Sequence, residues 1–366
     1  ARACGSRRHC YNQLLEHFSQ KAVKWSKAAA YQHDIKVIRP AFPWYDEVSS
    51  RVTRNAIDDL DNAFKHFFRR AKLGQKPGFP TFKKKGIGDS FALREKPKFD
   101  VEGRELRIEK LKTRIKMRQK LRFTGTLNQV TISQRAGKFY ASILVETDDY
   151  DPRAPEKEAV GVDFGVKSLA VISDGTEIPA NDALKRNLKA LKRKQRRLSR
   201  QQKGSNRRAR AKLAVAKLHK RISDQRQAVL HELSDRLTRD DNVICLEGLN
   251  VKGMVRNGKL ARPISDAGFG RLRRMIEYKA ELRGVEVSFI GRFEPSSKTC
   301  SECGQLHDMP LSRRTMECDC GNIMDRDLNA ARNILARGLD TLGPDLKRTH
   351  ELRKTSSSPA AAALTA

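Results

Sequence analysis

The chain is short of aromatic residues, cysteines, acids and long apolar runs, and each shortage removes a class of function. Aromatics make up 6% of its 366 residues, which argues against extensive base stacking as the main mode of binding. No run is long and apolar enough to span or anchor in a bilayer, so a membrane is not an expected partner. Seven cysteines are too few and too unevenly placed for a secreted disulfide scaffold. Four crowd into one segment, and Cys4, Cys10 and Cys245 read as ordinary thiols, which suits a reducing cytoplasm. No signal peptide is visible, and the chain opens at Ala1 rather than methionine, so a true N-terminus is expected to lie upstream. Acids number 43 against 75 lysines and arginines, a formal charge of +32. Such an excess repels itself unless a polyanion is near, so nucleic acid is the expected partner, held with an affinity that falls steeply with salt. The length suffices for two or three domains with real cores.

The segment Cys300–Asn333 reads CSECG, then CDCG, then MDRDLNAARNI, with 14 residues between Cys303 and Cys318. Two close cysteine pairs, each turned back at a glycine (Gly304, Gly321), are what a tetrahedral zinc site needs. Buried thiols or disulfides are the alternative, and His307 is a substitute ligand within reach in sequence. The C-x-C spacing of Cys318 and Cys320 is tighter than the commonest zinc knuckle. An alanine-rich amphipathic helix follows, and Asp327 at its start is, taken alone, a helix cap.

Residues 1 to about 70 read as helices. Tyr11, Leu14, Leu15 and Phe18 share one face, and Trp44, Val48, Val52, Ala56, Leu60, Ala63 and Phe67 form a longer stripe. GQKPGFPTFKKKG (74–86) breaks the pattern as a loop whose Lys83, Lys84 and Lys85 suit a phosphate backbone or merely a solvated turn. From residue 90 to 149 the texture is β, with NQVTIS and FYASILVE flanking the turn RAGK, and a second turn at Glu102-Gly103. A small antiparallel barrel or sheet is expected. Residues 149–158, with Pro152 and Pro155, read as a linker.

Beyond it, Ala159–Val162 and Leu169–Ser173 are apolar strands, with Asp163 where the first ends. Residues 185–221 hold 17 lysines and arginines and no acid. Leu184, Leu188, Leu191, Gln195, Leu198 and Gln202 space as a helical seam there. Leu218, Ile222, Gln225, Val229, Leu233 and Leu237 make a second seam running back after Gly204-Ser205-Asn206. An antiparallel hairpin results, and its uncompensated charge favours a phosphate-lined groove over a merely solvated face. NVICLE (242–247) is a third apolar strand ending on an acid, followed by a glycine-rich loop. A helix over 268–283 and a strand over 285–290 come next. The tail after residue 346 has nothing to pack.

Asp163 and Glu247 at strand ends and Asp327 at a helix start belong together if one sheet edge gathers them. Converged carboxylates stay ionised only around cations. Magnesium suits them, being hard and oxygen-seeking, and two ions roughly 3.5–4 Å apart can serve phosphodiester hydrolysis.

The set GVDFG, CLEGLNV, ISDAGFG, PSSKTCSECG and DRDLNAARNI, with GFPTFKKKG upstream, resembles the transposon-encoded TnpB proteins, relatives of the type V CRISPR effector nucleases. The resemblance covers nearly the whole chain. It implies a multidomain α/β protein: an RNase H-like (RuvC) nuclease with a helical-hairpin insertion and zinc knuckle, a wedge-type β-barrel and a small helical recognition lobe. The implied boundaries are 1–73 for the recognition lobe and 74–155 for the barrel, short of its N-terminal strand. The nuclease follows at 156–298 with its insertion at about 182–240, then the knuckle at 299–322, the C-terminal nuclease helix at 323–340 and a disordered tail at 341–366. It implies an RNA-guided DNA endonuclease with Asp163, Glu247 and Asp327 as catalytic magnesium ligands, and one structural zinc on Cys300, Cys303, Cys318 and Cys320. Lys83, Lys84, Lys85, Lys192, Arg193, Arg196, Arg197 and Arg200 are the expected nucleic-acid contacts. The implied partners are a guide RNA from the transposon end and duplex target DNA beside a short flanking motif. No membrane or obligate protein partner is called for, and the setting is a prokaryotic cytoplasm. A nuclease-inactive RNA-guided regulator and a DNA transposase are the competing readings.

Overall fold

The computed structural model describes residues 1–20, 22–95, 97–147, 157–310 and 312–342. Most of the expected linker and nearly all of the expected tail lie outside them. No helix among the described residues is long and apolar enough to cross a membrane. Residues 1–149 and 150–366 form two compact units.

In the first unit, α1 (Arg2–Phe18), α2 (Lys27–His33), a π-helical turn, the single turn α3 (Arg39–Ala41) and α4 (Ser50–Lys72) pack together. Tyr11, Leu14, Leu15 and Phe18 are buried, as the α1 stripe predicts. The longer stripe is corrected. Pro43 opens a separate 3-10 turn, and the Ser49 hydroxyl caps α4 by accepting from Arg51 N, so the helix begins after Trp44 and Val48. Its buried face is Val52, Ala56, Ile57, Leu60 and Phe64, while Ala63 and Phe67 are only half-buried. Six strands follow: β1 (Ser90–Leu93), β2 (Phe99–Glu102), β3 (Glu105–Ile108), β4 (Ile115–Lys116), β5 (Thr126–Arg135) and β6 (Lys138–Glu146). Among the described residues they pair as two antiparallel sheets, β1-β5-β6 and β2-β3-β4, around one core that includes Leu93, Phe99, Leu106 and Val130. The RAGK turn puts Ala136 at φ 49° and Gly137 at φ 79°, the left-handed pair that a tight two-residue hairpin needs.

In the second unit, β7 (Lys157–Asp163), β8 (Ser168–Ile172) and β9 (Glu177–Pro179) precede the hairpin α5 (Ala183–Ser199) and α6 (Asn206–Asp240). Then come β10 (Asp241–Glu247), α7 (Val251–Met254), α8 (Ala261–Ala267), α9 (Phe269–Arg283) and β11 (Glu286–Ile290). The chain finishes with β12 (Thr315–Glu317), β13 (Ile323–Asp325) and α10 (Arg326–Thr341). The main sheet runs β11-β10-β7-β8-β9, with β7, β10 and β11 parallel and β8 antiparallel to both neighbours. Strand β9 and the ribbon β12–β13 are absent from the sequence reading because three residues carry no periodicity. The glycine-rich segment after Glu247 contains the short α7 rather than loop alone.

Both faces of this sheet are covered, so its central strands read as unbroken apolar runs. Val160, Val162, Ile244 and Leu246 face α6 and α9, packing on Leu233, Leu272 and Ile276. Val243, Cys245 and Ile290 face α10 at Ile334 and Leu339. The second hairpin seam divides accordingly. Leu218 and Ile222 pack with Leu191 inside the hairpin, whereas Leu230, Leu233 and Leu237 join the sheet core, with Leu230 rather than Val229 fully buried.

Helix α10 lies unusually close to the sheet, and two glycines allow it. A Cβ on Gly161 would stand 2.1 Å from Ala331 O and 2.7 Å from Leu335 Cβ, and one on Gly338 would stand 2.4 Å from Cys245 Sγ. Neither clash can be relieved without moving α10, since the first meets backbone and the second a buried side chain. Gly161→Ala is expected to cost about 1–3 kcal/mol, the range for overpacking, as measured by urea unfolding.

Candidate nuclease site and the cysteine cluster

Strand parity decides where the acids point. Counting in twos along β7, Asp163 shares a face with Gly161, and along β10 Glu247 shares one with Val243 and Cys245. Both faces are the one α10 covers. The register pairs Leu246 with Val162, which puts Glu247 and Asp163 side by side at the carboxyl edge. Ala331 sits over Gly161. Four residues back along α10 is Asp327, about 6 Å away, and two residues on along β7 is Asp163, about 6.6 Å away, so the two arrive together. Phe164 points the other way, stacked on Phe269 with centroids 6.0 Å apart.

Electrostatics records the gathering. The Asp163 carboxyl is pushed up to about 7, first by burial, then by the charges of Asp327 and Glu247, with Arg326 partly opposing them. Burial also raises Glu247. Asp327 is not the helix cap: Asp325 Oδ1 accepts from Asp327 N at 2.8 Å and Leu328 N at 3.3 Å. The cap two residues earlier leaves the Asp327 carboxyl for the site.

The four cysteines of the knuckle segment come together. Cys300 Sγ is 3.7 Å from Cys320 Sγ, and Cys303 Sγ is 3.5 Å from Cys318 Sγ. A tetrahedron with bonds of about 2.3 Å has edges near 3.8 Å, so the spacing suits a soft ion held by four thiolates. Among the described residues this is the set whose ligand atoms all lie within 4.8 Å of one another; the three carboxylates are spread more widely. His307 lies outside the set. Gly304 and Gly321 turn with φ 78° and 89°, the left-handed conformation that glycine supplies. Burial resists ionisation of Cys300, but the Asn322 amide, donating to its sulfur at 3.2 Å, and the backbone around Glu302 and Cys303 hold the thiol at about 6.

The cluster is braced against α10 by two side chains the sequence reading passed over. Asn329 donates to Thr299 O at 2.7 Å and accepts from Ser301 N at 2.9 Å. Asn333 donates to Ser296 O and Thr299 O at 2.7 and 2.6 Å. Their positions in NAARN, one turn apart on an apolar helix face, were the available signal, because buried amides need partners.

The basic residues separate into two kinds. Lys192, Arg193, Arg196, Arg197 and Arg200 line a groove along α5, joined by Lys189 and Gln201, with no acid among the lining residues. Lys84 and Lys85 are exposed. Lys83 is instead a fastening: its Nζ lies 2.5 Å from Asp59 Oδ2 and 4.2 Å from the Tyr11 ring centre, and its backbone exchanges hydrogen bonds with Asn12. The hairpin is fastened by Asp266, which went unassigned within ISDAGFG. Its buried carboxylate accepts from Leu184 N and Lys185 N at 3.0–3.1 Å and from Arg226 Nε at 2.6 Å, capping α5 from outside.

A family model described as "Probable transposase" matches residues 142–258, and one described as "Cas12f1-like, TNB domain" matches 269–334. A "Putative RNA-guided DNA endonuclease" of Streptomyces pristinaespiralis is 35% identical over 98% of this chain and 90% of its own length. The chain belongs to the TnpB family. Another member-like relative, the "Putative RNA-guided DNA endonuclease InsQ" of Escherichia coli K12, is 31% identical over 92% of this chain and 88% of its own. "TnpB-like protein L79" of Acanthamoeba polyphaga mimivirus is 28% identical over 50% of this chain and 38% of its own. In fold, this TnpB chain matches the protein of the Cas12f1-sgRNA-target DNA complex with a TM-score of 0.54 and 17% identity, over 91% of this chain and 81% of that one.

Asn329→Ala leaves Ser301 N–H without its acceptor in a buried site. It is expected to cost about 1–3 kcal/mol, read as a lowered midpoint of chemical unfolding, and to make Cys300 react faster with a thiol reagent.

Proposed function

We propose that this chain is an RNA-guided DNA endonuclease that hydrolyses target phosphodiesters with Asp163, Glu247 and Asp327. The observation that carries the proposal is the convergence of the three acids at one sheet edge, where burial and the charges of Asp327 and Glu247 raise Asp163. A fold gains no stability from crowding carboxylates in a partly buried site, so the arrangement is one that cations would relieve. The strand order β11-β10-β7-β8-β9, with β8 reversed, supports an RNase H-like (RuvC) assignment for residues 156–298 and 323–340. The names of the relatives support the same activity.

The donor set fits a hard divalent ion: three carboxylates, with no sulfur or imidazole assigned to the site. Magnesium held by Asp163, Glu247 and Asp327, two ions in the full site, would supply an activated water and stabilise the leaving oxygen. The chain's own contribution is placement. Asp163 and Glu247 are fixed by strand register, and Asp327 by the docking of α10 through Gly161. The guanidinium of Arg326 donates to Pro310 O and Ser297 Oγ, both at 3.3 Å, which holds a positive charge beside the acids. The α5 cations would hold nucleic-acid backbone, and Lys84 and Lys85 would do so in the other unit. Residues 1–73 and 74–155 are assigned to recognition-lobe and wedge roles. Guide RNA pairing would select the target strand, with the protein reading a short flanking motif.

Four thiolates at tetrahedral spacing fit one structural zinc. The cluster feeds through β13 directly into the Asp325 cap, so the metal would fix the angle at which Asp327 enters the site. The purified protein is expected to carry about one zinc per chain by elemental analysis. Stripping it should speed amide exchange over residues 323–330 and slow cleavage, because metal binding and local folding are coupled. A metal-stripped protein that cuts normally would refute this role.

Asp163→Ala is the direct test of the site. In protein purified with its co-expressed RNA, cleavage of a matched plasmid should fall by roughly 10³-fold or more, while guide and target binding persist. The same variant, relieved of one buried acid, should unfold at a higher temperature than wild type in EDTA. Undiminished cleavage would remove the catalytic assignment. Strand joining by protein free of RNA would favour the transposase reading suggested by the description of the matching family model.

A further inference from the structure

The loop Gly291–Ser296, which joins β11 to the cysteine segment, presents Phe293 with 88% of its surface exposed. A lone exposed apolar side chain is ordinary on a protein surface. What distinguishes Phe293 is the firmness of its mount and its address. Glu294 N donates to Gly291 O at 3.2 Å, closing a turn with Phe293 inside it, and Ser296 N donates to Glu294 O at 2.8 Å. The Glu294 carboxylate pairs with Arg337 of α10, and Asn333 of the same helix donates to Ser296 O at 2.7 Å. On the other side, Gly248 N donates to Ile290 O at 3.2 Å, tying the base of the loop to the residue after Glu247. The turn is therefore fastened both to the strand that carries Glu247 and to the helix that carries Asp327.

Its address follows from register. Glu247 faces Ile290 across the β10–β11 ladder, and Phe293 comes three residues later, within about 10 Å of that pair along the chain. The Arg292 guanidinium lies 5.1 Å from the Phe293 ring centre. A ring on a fastened turn, with a cation over one face and the rest of its surface in water, at the edge where the acids converge, has two features that suit single-stranded nucleic acid. The π-face takes any base, and the guanidinium takes the neighbouring phosphate. A base inside a duplex has both faces covered by its neighbours, so the platform selects a strand that is already unpaired. A low aromatic content excludes stacking as the general mode of binding but leaves room for one such point.

We propose that Phe293, with Arg292 beside it, is a stacking platform for an unpaired nucleobase of the DNA strand entering the Asp163–Glu247–Asp327 site. This rests on the nuclease reading, and the test separates the two. Single-stranded oligonucleotides carrying 2-aminopurine are added to the protein–RNA complex in the Asp163→Ala background, and quenching of the probe reports stacking. Wild-type Phe293 and Phe293→Trp should quench it, and Phe293→Leu, equally apolar but without a π-face, should not. With Asp163 restored, Phe293→Leu should cut about 10-fold or more slowly, Phe293→Trp should cut near the wild-type rate, and guide content and target-duplex binding should be unchanged. Quenching and cutting by Phe293→Leu at wild-type levels, in a protein that Asp163→Ala silences, would overturn the platform alone. A wild-type protein that neither cuts nor quenches would overturn the platform and the nuclease reading together.

Discussion

The contact of α10 with the sheet at Gly161 and Gly338 is the constraint on which the rest of the second unit depends. Without a Cβ at either position, Ala331 and Leu335 reach the backbone of β7, and Gly338 reaches Cys245 on β10. The close approach fixes where the helix lies on the sheet, and with it Asp327 at its first turn. The same closeness explains why the helix is rich in alanine: larger side chains at positions 330 and 331 would hold it off. Packing this tight is bought with conformational freedom, since two glycines must be ordered in a strand and a helix where they are intrinsically poor.

Repulsion at the site and attraction along the hairpin are two halves of one electrostatic design. The acids are gathered where burial and mutual charge raise Asp163, while the groove along α5 gathers five arginine and lysine side chains expected from the sequence, together with Lys189. Neither concentration is self-compensating, and each is relieved by the other kind of charge. In the proposed reading a polyphosphate would satisfy the groove and divalent cations would satisfy the acids. The structure holds each cluster with ties that do not neutralise it. Asp266 caps α5 through backbone N–H groups and Arg226, leaving the groove cations unpaired by it, and Asp325 caps α10, leaving Asp327 unused as a cap. By contrast, Lys83 in the first unit is consumed by Asp59 and Tyr11, so a run of three lysines does not amount to three phosphate contacts.

The cysteine cluster and the acid site are joined by short covalent and hydrogen-bonded paths. Strand β13 runs from the second cysteine pair into Asp325, and Asn329 and Asn333 return from α10 to residues 296–301. A disturbance at the thiolates therefore reaches Asp327 through one ribbon and two buried amides rather than through the sheet. One of these amides, Asn333, also steadies the loop that carries Phe293, through Ser296 O.

Sequence alone determined the kinds of parts. Periodicity identified the strands ending on Asp163 and Glu247, the cationic hairpin and the α9 face, because long regular elements impose their repeat on apolar residues. Spacing identified the four thiolates, because tetrahedral ligation needs close pairs. Tertiary structure decided which parts do what. Whether Lys83 is a contact or a fastening, and that Asp266 is the external cap of α5, depend on partners distant in the chain, and whether Asp325 or Asp327 caps α10 depends on how that helix docks. The start of α4 moved to Ser50 because a local hydroxyl outweighed an apolar stripe that continued before it. Periodicity reports the face a residue occupies; only packing reports what stands opposite.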